Sequence, residues 1–161
     1  MKTLWLLRHG EAMHSQPGSK DHERVLTLLG EAQAKKIGTW LHQHHVQFDR
    51  ILASSAQRAM LTITLVTKAL FLPSEVIHSE LPIYNASVDT LQELVAGQDD
   101  TINTLLICGH NPGISVLASI LSSGGEYLDF SPATLCQIEL DIASWSELKT
   151  KCGKIITLEV P

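Results

Sequence analysis

The sequence predicts an α/β fold, a three-layer sandwich whose mostly parallel central sheet is flanked by helices, with one or both of the last strands antiparallel. Residues 4–7 (Leu-Trp-Leu-Leu) and 105–108 (Leu-Leu-Ile-Cys) are apolar throughout, the pattern of strands covered on both faces. Stretches of helical period separate them, so strand and helix alternate. Both runs break abruptly into polar residues, Arg8-His9-Gly10 and Gly109-His110-Asn111. In such sheets the ligand site lies beyond the carboxyl ends of the strands.

The chain of 161 residues is long enough for one sizeable core, so residues 1–161 are expected to form a single domain. A hydrophobic share of 44% and a charged share of 18% are those of an ordinary globular protein. The formal net charge of -5 gives no global field for nucleic acid or an anionic membrane, so any anion site must be local. The apolar run before Arg8 is only four residues long, too short for a signal-peptide core, and no later run approaches a membrane span. The expected location is cytoplasmic. Cys108, Cys136 and Cys152 are odd in number and widely spaced, which fits buried thiols in a reducing compartment.

The first strand ends at Gly10, which is expected to let the chain turn and a ligand approach the backbone. Residues 13–23 carry loop signals and no period, a long connection of the kind that is often functional. Thr27 is an N-cap for a helix running to about His44, with Ala34, Ile37 and Leu41 on one face and Trp40 beside them. His42, His44 and His45 do not share a helical face, and they read as a solvated helix end favoured by the dipole rather than a metal cluster. Residues 48–53 read as the second strand. Ser54 and Gln57 fit a capping box opening a helix with the stripe Ala59, Ile63, Val66 and Leu70. Arg58 then falls in the first helical turn, where a cation is mildly unfavourable unless an anion sits nearby.

Pro73 stops that helix, residues 75–78 read as a short third strand, and residues 79–85 as an irregular loop. Ser87 caps a short helix carrying Leu91, Leu94 and Val95, closed by Gly97. After a polar turn at 99–103 comes the second apolar strand. Asn111 as N-cap and Pro112 at the first helical position start the next helix, with Ile114, Leu117, Ala118 and Leu121 on one face. A helix amino terminus beside an imidazole is a natural place for an anion. Residues 134–140 and 155–160 read as later strands joined through 145–149.

The strand ends thus supply Arg8, His9, Arg58 and His110, which a parallel topology gathers at one edge. Arginine offers a planar fork suited to phosphate oxygens. Neither a Gly-x-x-x-x-Gly-Lys loop nor Gly-x-Gly-x-x-Gly is present, so no nucleotide cradle is indicated. Two histidines without clustered carboxylates or cysteines make a poor zinc site, and neighbouring guanidinium groups would repel a metal. The remaining chemistry is phosphoryl transfer without metal or other cofactor, with arginines neutralising the charge.

Leu-x-Arg-His-Gly-Glu-Ala at 6–12, Arg-x-Leu-Thr-x-x-Gly at 24–30, Ser-Ser-x-x-Arg-Ala-x-x-Thr at 54–62 and Gly-His-Asn-Pro-Gly at 109–113 together resemble the histidine phosphatase superfamily. The short length, the abbreviated segment from Leu72 to Ser87 and the Gly-His-Asn-Pro form are most similar to its small SixA-type phosphohistidine phosphatases. The resemblance implies a phosphoglycerate mutase-like fold. It also implies that His9 is a nucleophile that becomes transiently phosphorylated, and that Arg8, His9, Arg58 and His110 bind phosphate. The chemistry agrees: flanking guanidinium groups would keep His9 neutral, a carbonyl accepting from its Nδ1 would leave Nε2 free to attack, and a protonated His110 would stabilise transition-state charge.

The residue after His110 is Asn111, so the carboxylate that some relatives place there is missing; Glu80 and Glu11 are the nearest candidates for the general acid, with Tyr84 behind them, and the alternative for Glu80 is a surface residue at a strand end. A missing acid matters less for a labile P–N bond than for an alkoxide leaving group. The implied substrate is a phosphohistidine-bearing protein. The alternatives are a phosphatase of small phosphomonoesters and a non-catalytic phosphate-binding protein.

Overall fold

The computed structural model describes residues 1–161. The elements follow in the order β1 (Lys2–Arg8), α1 (Leu28–Gln43), β2 (Arg50–Ser54), α2 (Gln57–Ala69), β3 (Ile77–Glu80), α3 (Val88–Ala96), β4 (Thr104–Gly109), α4 (Gly113–Leu121), β5 (Leu135–Leu140) and β6 (Gly153–Glu159). The six strands form one sheet ordered β3-β2-β4-β1-β5-β6. β3, β2, β4 and β1 are mutually parallel, whereas β5 is antiparallel to β1 and β6 to β5.

The period of two along β1 explains its unbroken apolarity. Leu4 and Leu6 pack with Leu91, Ile114 and Leu117 of α3 and α4, while Trp5 and Leu7 face Ile37, Leu41, Ala59 and Ile63 of α1 and α2. Each face of the sheet thus has its own helical layer, and these side chains are almost wholly removed from water. In register, Arg8 lies opposite Gly109, Ala53 opposite Cys108 and Ser54 opposite Glu80. The carboxyl ends of four parallel strands therefore finish along one edge. Cys108, Cys136 and Cys152 are free and buried, and no helix is long and apolar enough to cross a membrane.

Several local expectations are corrected. Ser54 does not cap α2: Ala56 is the N-cap, and the Ser54 hydroxyl accepts from the Ala56 N–H at 3.2 Å. Asn111 does not cap α4, which starts at Gly113 after Pro112; its Nδ2 instead donates to the Phe130 carbonyl at 2.8 Å and ties two loops together. The third strand starts two residues late because Ser74–Val76 form a 3-10 turn, and Leu81–Ile83 form another where an irregular loop was expected. α2 ends at Ala69, before Pro73 is reached.

Gly10 serves helix packing. A Cβ there would lie 2.6 Å from the Gly30 carbonyl oxygen, and one on Gly30 would lie 2.1 Å from that of Glu11. The two glycines let the first turn of α1 seat directly against the chain leaving β1, with Thr27 capping the helix through the Gly30 N–H. The long loop is pinned at its base by a bridge between Ala12 and Leu26 and carries a 3-10 turn at Asp21–Glu23.

Candidate active site

Arg8, His9, Arg58 and His110 come together at this edge, three of them buried: His9 is 8%, Arg58 5% and His110 9% exposed. Arg8 stays in place because its Nη1 donates to the Phe130 carbonyl at 2.8 Å. His9 follows directly, its N–H bonded to the Gly109 carbonyl at 3.1 Å, which couples the exits of β1 and β4. His9 Nδ1 lies 2.6 Å from the Gly10 carbonyl oxygen. A carbonyl can only accept, so Nδ1 carries the hydrogen and Nε2 keeps its lone pair. The His9 and His110 ring centroids are 5.2 Å apart.

Arg58, in the first turn of α2, finds its anion on the long loop. Its Nη1 donates to the Asp21 carbonyl at 2.8 Å and its Nη2 to Asp21 Oδ2 at 3.1 Å. The same carboxylate accepts from the Tyr84 hydroxyl at 2.6 Å and from Arg24 at 3.1 Å. These donors, Tyr84 first, hold the Asp21 carboxyl well below the usual carboxylate range. Thr62 joins the two halves: its hydroxyl accepts from the Gly10 N–H at 3.0 Å and donates to the Arg58 carbonyl at 2.7 Å.

Burial is the largest cause of the histidine shifts. It brings His9 down to about 4 and His110 to about 3, with Arg58 and Arg8 adding to both. His110 is thus neutral near pH 7 in this structure, so the protonated form considered from the sequence is not the resting one; the cost of charging a buried imidazole beside two guanidinium groups outweighs the Asp21 carboxylate that opposes it. Four buried side-chain atoms have no partner: Arg8 Nε, Arg58 Nε, His110 Nδ1 and Asn111 Oδ1. Two of them are fixed N–H donors of cations. A tetrahedral anion would satisfy them, and it would raise the pKa of both histidines.

Glu80 ends β3 opposite Ser54, half-buried, its carboxylate without a hydrogen bond or ion pair. Glu11 lies on the wall of a cavity of about 320 Å³ that also includes Arg8, His9 and Met13, and its carboxylate accepts from the Thr27 hydroxyl at 2.7 Å. His42, His44 and His45 are remote from this edge, and His44 stacks on Trp40 at 3.9 Å. No group of three or more His, Cys, Asp or Glu is placed to hold a metal ion. Sequence reasoning missed Asp21. Its one local signal is the acid-base spacing with Arg24 three residues on, in an otherwise patternless loop.

The family model described as histidine phosphatase superfamily (branch 1) matches residues 4–80. A phosphohistidine phosphatase SixA homolog of Haemophilus influenzae is 30% identical over 146 residues, covering 86% of this chain and 88% of its own. A solved structure assigned as a SixA phosphohistidine phosphatase of Agrobacterium tumefaciens superposes with a TM-score of 0.83 at 25% identity, covering 99% of this chain and 98% of the other. The adenosylcobalamin/alpha-ribazole phosphatase of Salmonella typhimurium is 38% identical over 76 residues, 46% of this chain and 37% of its own.

Proposed function

The chain belongs to the histidine phosphatase superfamily, among its SixA-type members, and from that premise we propose that it dephosphorylates histidine on a partner protein through a covalent phosphohistidine intermediate at His9. The observation that carries this reading is the set of buried, unpartnered nitrogens of Arg8, Arg58 and His110 around an imidazole whose Nε2 lone pair is free. In the first step His9 Nε2 attacks phosphorus and the P–N bond of the substrate breaks, its electron pair leaving with the substrate imidazole, which takes up a proton. In the second, water attacks the phosphoryl group on His9. The P–Nε2 bond breaks, its electrons return to His9, and inorganic phosphate leaves with the water's hydroxyl, the other proton passing to phosphate or solvent.

Arg8 and Arg58 hold the equatorial oxygens and supply the charge neutralisation that a metal gives elsewhere. Glu80 remains the proposed acid for substrates that need one, and Glu11 the alternative on the cavity wall. Met13 on the cavity wall and Val25, paired with it through the backbone, are each 45% exposed, apolar surface that supports a protein substrate. The test is a turnover comparison between a phosphohistidine protein and a panel of alkyl phosphates of similar charge. Faster turnover of phosphohistidine, little changed in Glu80→Gln, supports the reading. An alkyl phosphate hydrolysed as fast, with that rate collapsing in Glu80→Gln, would favour the small-molecule phosphatase.

A further inference from the structure

Ser54, at the end of β2, is fully buried, and its hydroxyl has two neighbours. The Ala56 N–H donates to it at 3.2 Å, and His110 Nε2 lies 2.7 Å away. The amide can only donate, so it uses an acceptor site of the oxygen. The hydroxyl hydrogen then has one acceptor within reach, His110 Nε2; pointed anywhere else it would be a buried donor with no partner. That assignment puts a lone pair on Nε2 and the ring hydrogen on Nδ1, the His110 atom that is buried without a partner in the protein.

We propose that Ser54 is a positioning residue for His110: its hydroxyl donates to Nε2 and fixes the neutral imidazole as the Nδ1–H tautomer, which offers that hydrogen to a phosphoryl oxygen. The two histidines of the pocket then hold opposite tautomers for opposite tasks. His9, locked by the Gly10 carbonyl, presents a lone pair; His110, locked by the Ser54 hydroxyl, presents a donor. The arrangement answers the difficulty that burial creates, since with its pKa pulled down to about 3 His110 has to donate without being charged. The oxygen of Ser54 meanwhile accepts from the N–H of Ala56, the residue before α2 begins at Gln57.

This inference rests on the reading of the pocket as a phosphoryl site, but its primary test needs no turnover. Nitrogen-15 histidine spectra of the wild-type protein at pH 7 should show His110 with a pyrrole-type Nδ1 and a pyridine-type Nε2, and His9 with the reverse. A Ser54 hydroxyl proton slow to exchange, with a nuclear Overhauser contact to the His110 ring, should accompany them. In Ser54→Ala the His110 preference should be lost and the inhibition constant for inorganic phosphate should rise about ten-fold, with Ser54→Thr recovering most of both. A protein inactive on phosphohistidine that still shows these spectra would fault the substrate assignment and support this one. His110 carrying its hydrogen on Nε2, or on both nitrogens, in the wild type would overturn it, as would an unchanged tautomer in Ser54→Ala.

Discussion

Arg58 shows how much a single side chain's surroundings decide. Its two terminal nitrogens are held by Asp21, and its Nε is buried without a partner, so the loop carboxylate fixes the guanidinium without taking up all its donors. Arg58→Ala should therefore lower kcat/KM by about 10² to 10³, the loss typical of one transition-state donor, while the phosphoenzyme still forms. Steady-state and single-turnover kinetics on one substrate would check both halves. The histidines bear on stability in the other direction. His9 and His110 are held neutral in the fold, so the unfolded chain binds protons more readily below its ordinary histidine pKa of about 6.5. Stability is complete above that value and falls as pH drops toward about 4 and about 3. The melting temperature should decrease by about 10 °C between pH 7 and pH 5, and replacing both rings with Asn should flatten that slope. A melting temperature independent of pH over this range would mean that the rings are not held neutral.

At the scale of elements, the seat of α1 against the exit of β1 sets the position of His9. Helix propensity alone would make Gly30→Ala stabilising by about 1 kcal/mol. The Glu11 carbonyl 2.1 Å from the new Cβ reverses the sign. We expect a net cost of about 2 kcal/mol or more in denaturant melts, together with a fall in kcat as His9 shifts. Gly97→Ala, whose Cβ would meet its nearest atom at 3.3 Å, should do neither. The sequence announced these elements well where the signal was local. The apolar runs of β1 and β4, the Thr27 and Ser87 caps and the Gly97 stop all stand where periodicity and capping put them. It misled where one side chain had two suitors. Ser54 had a good capping sequence, but its hydroxyl is engaged with His110, which is 56 residues away. Asn111 likewise reaches Phe130 instead of its own helix. Asp21 was missed for the same reason, since beyond its spacing with Arg24 what gives it meaning is Arg58 and Tyr84, brought to it by the fold alone.

Across the whole molecule, a chain with a net charge of -5 concentrates two arginines and two neutral histidines at one sheet edge. The parallel order β3-β2-β4-β1 brings His9 and His110 onto adjacent strands and Arg58 onto the helix that follows the next one. With guanidinium groups supplying the positive charge, phosphatase activity should persist through chelator treatment; loss on chelation and recovery with zinc or magnesium would mean that the chemistry is different. The central claim, that the phosphoryl group passes through His9, is tested most directly by quenching a turnover of phosphohistidine protein labelled with radioactive phosphate and mapping the acid-labile label. The label should sit on His9 and vanish in His9→Ala. The same label in His9→Ala, or on His110 in the wild type, would contradict the account.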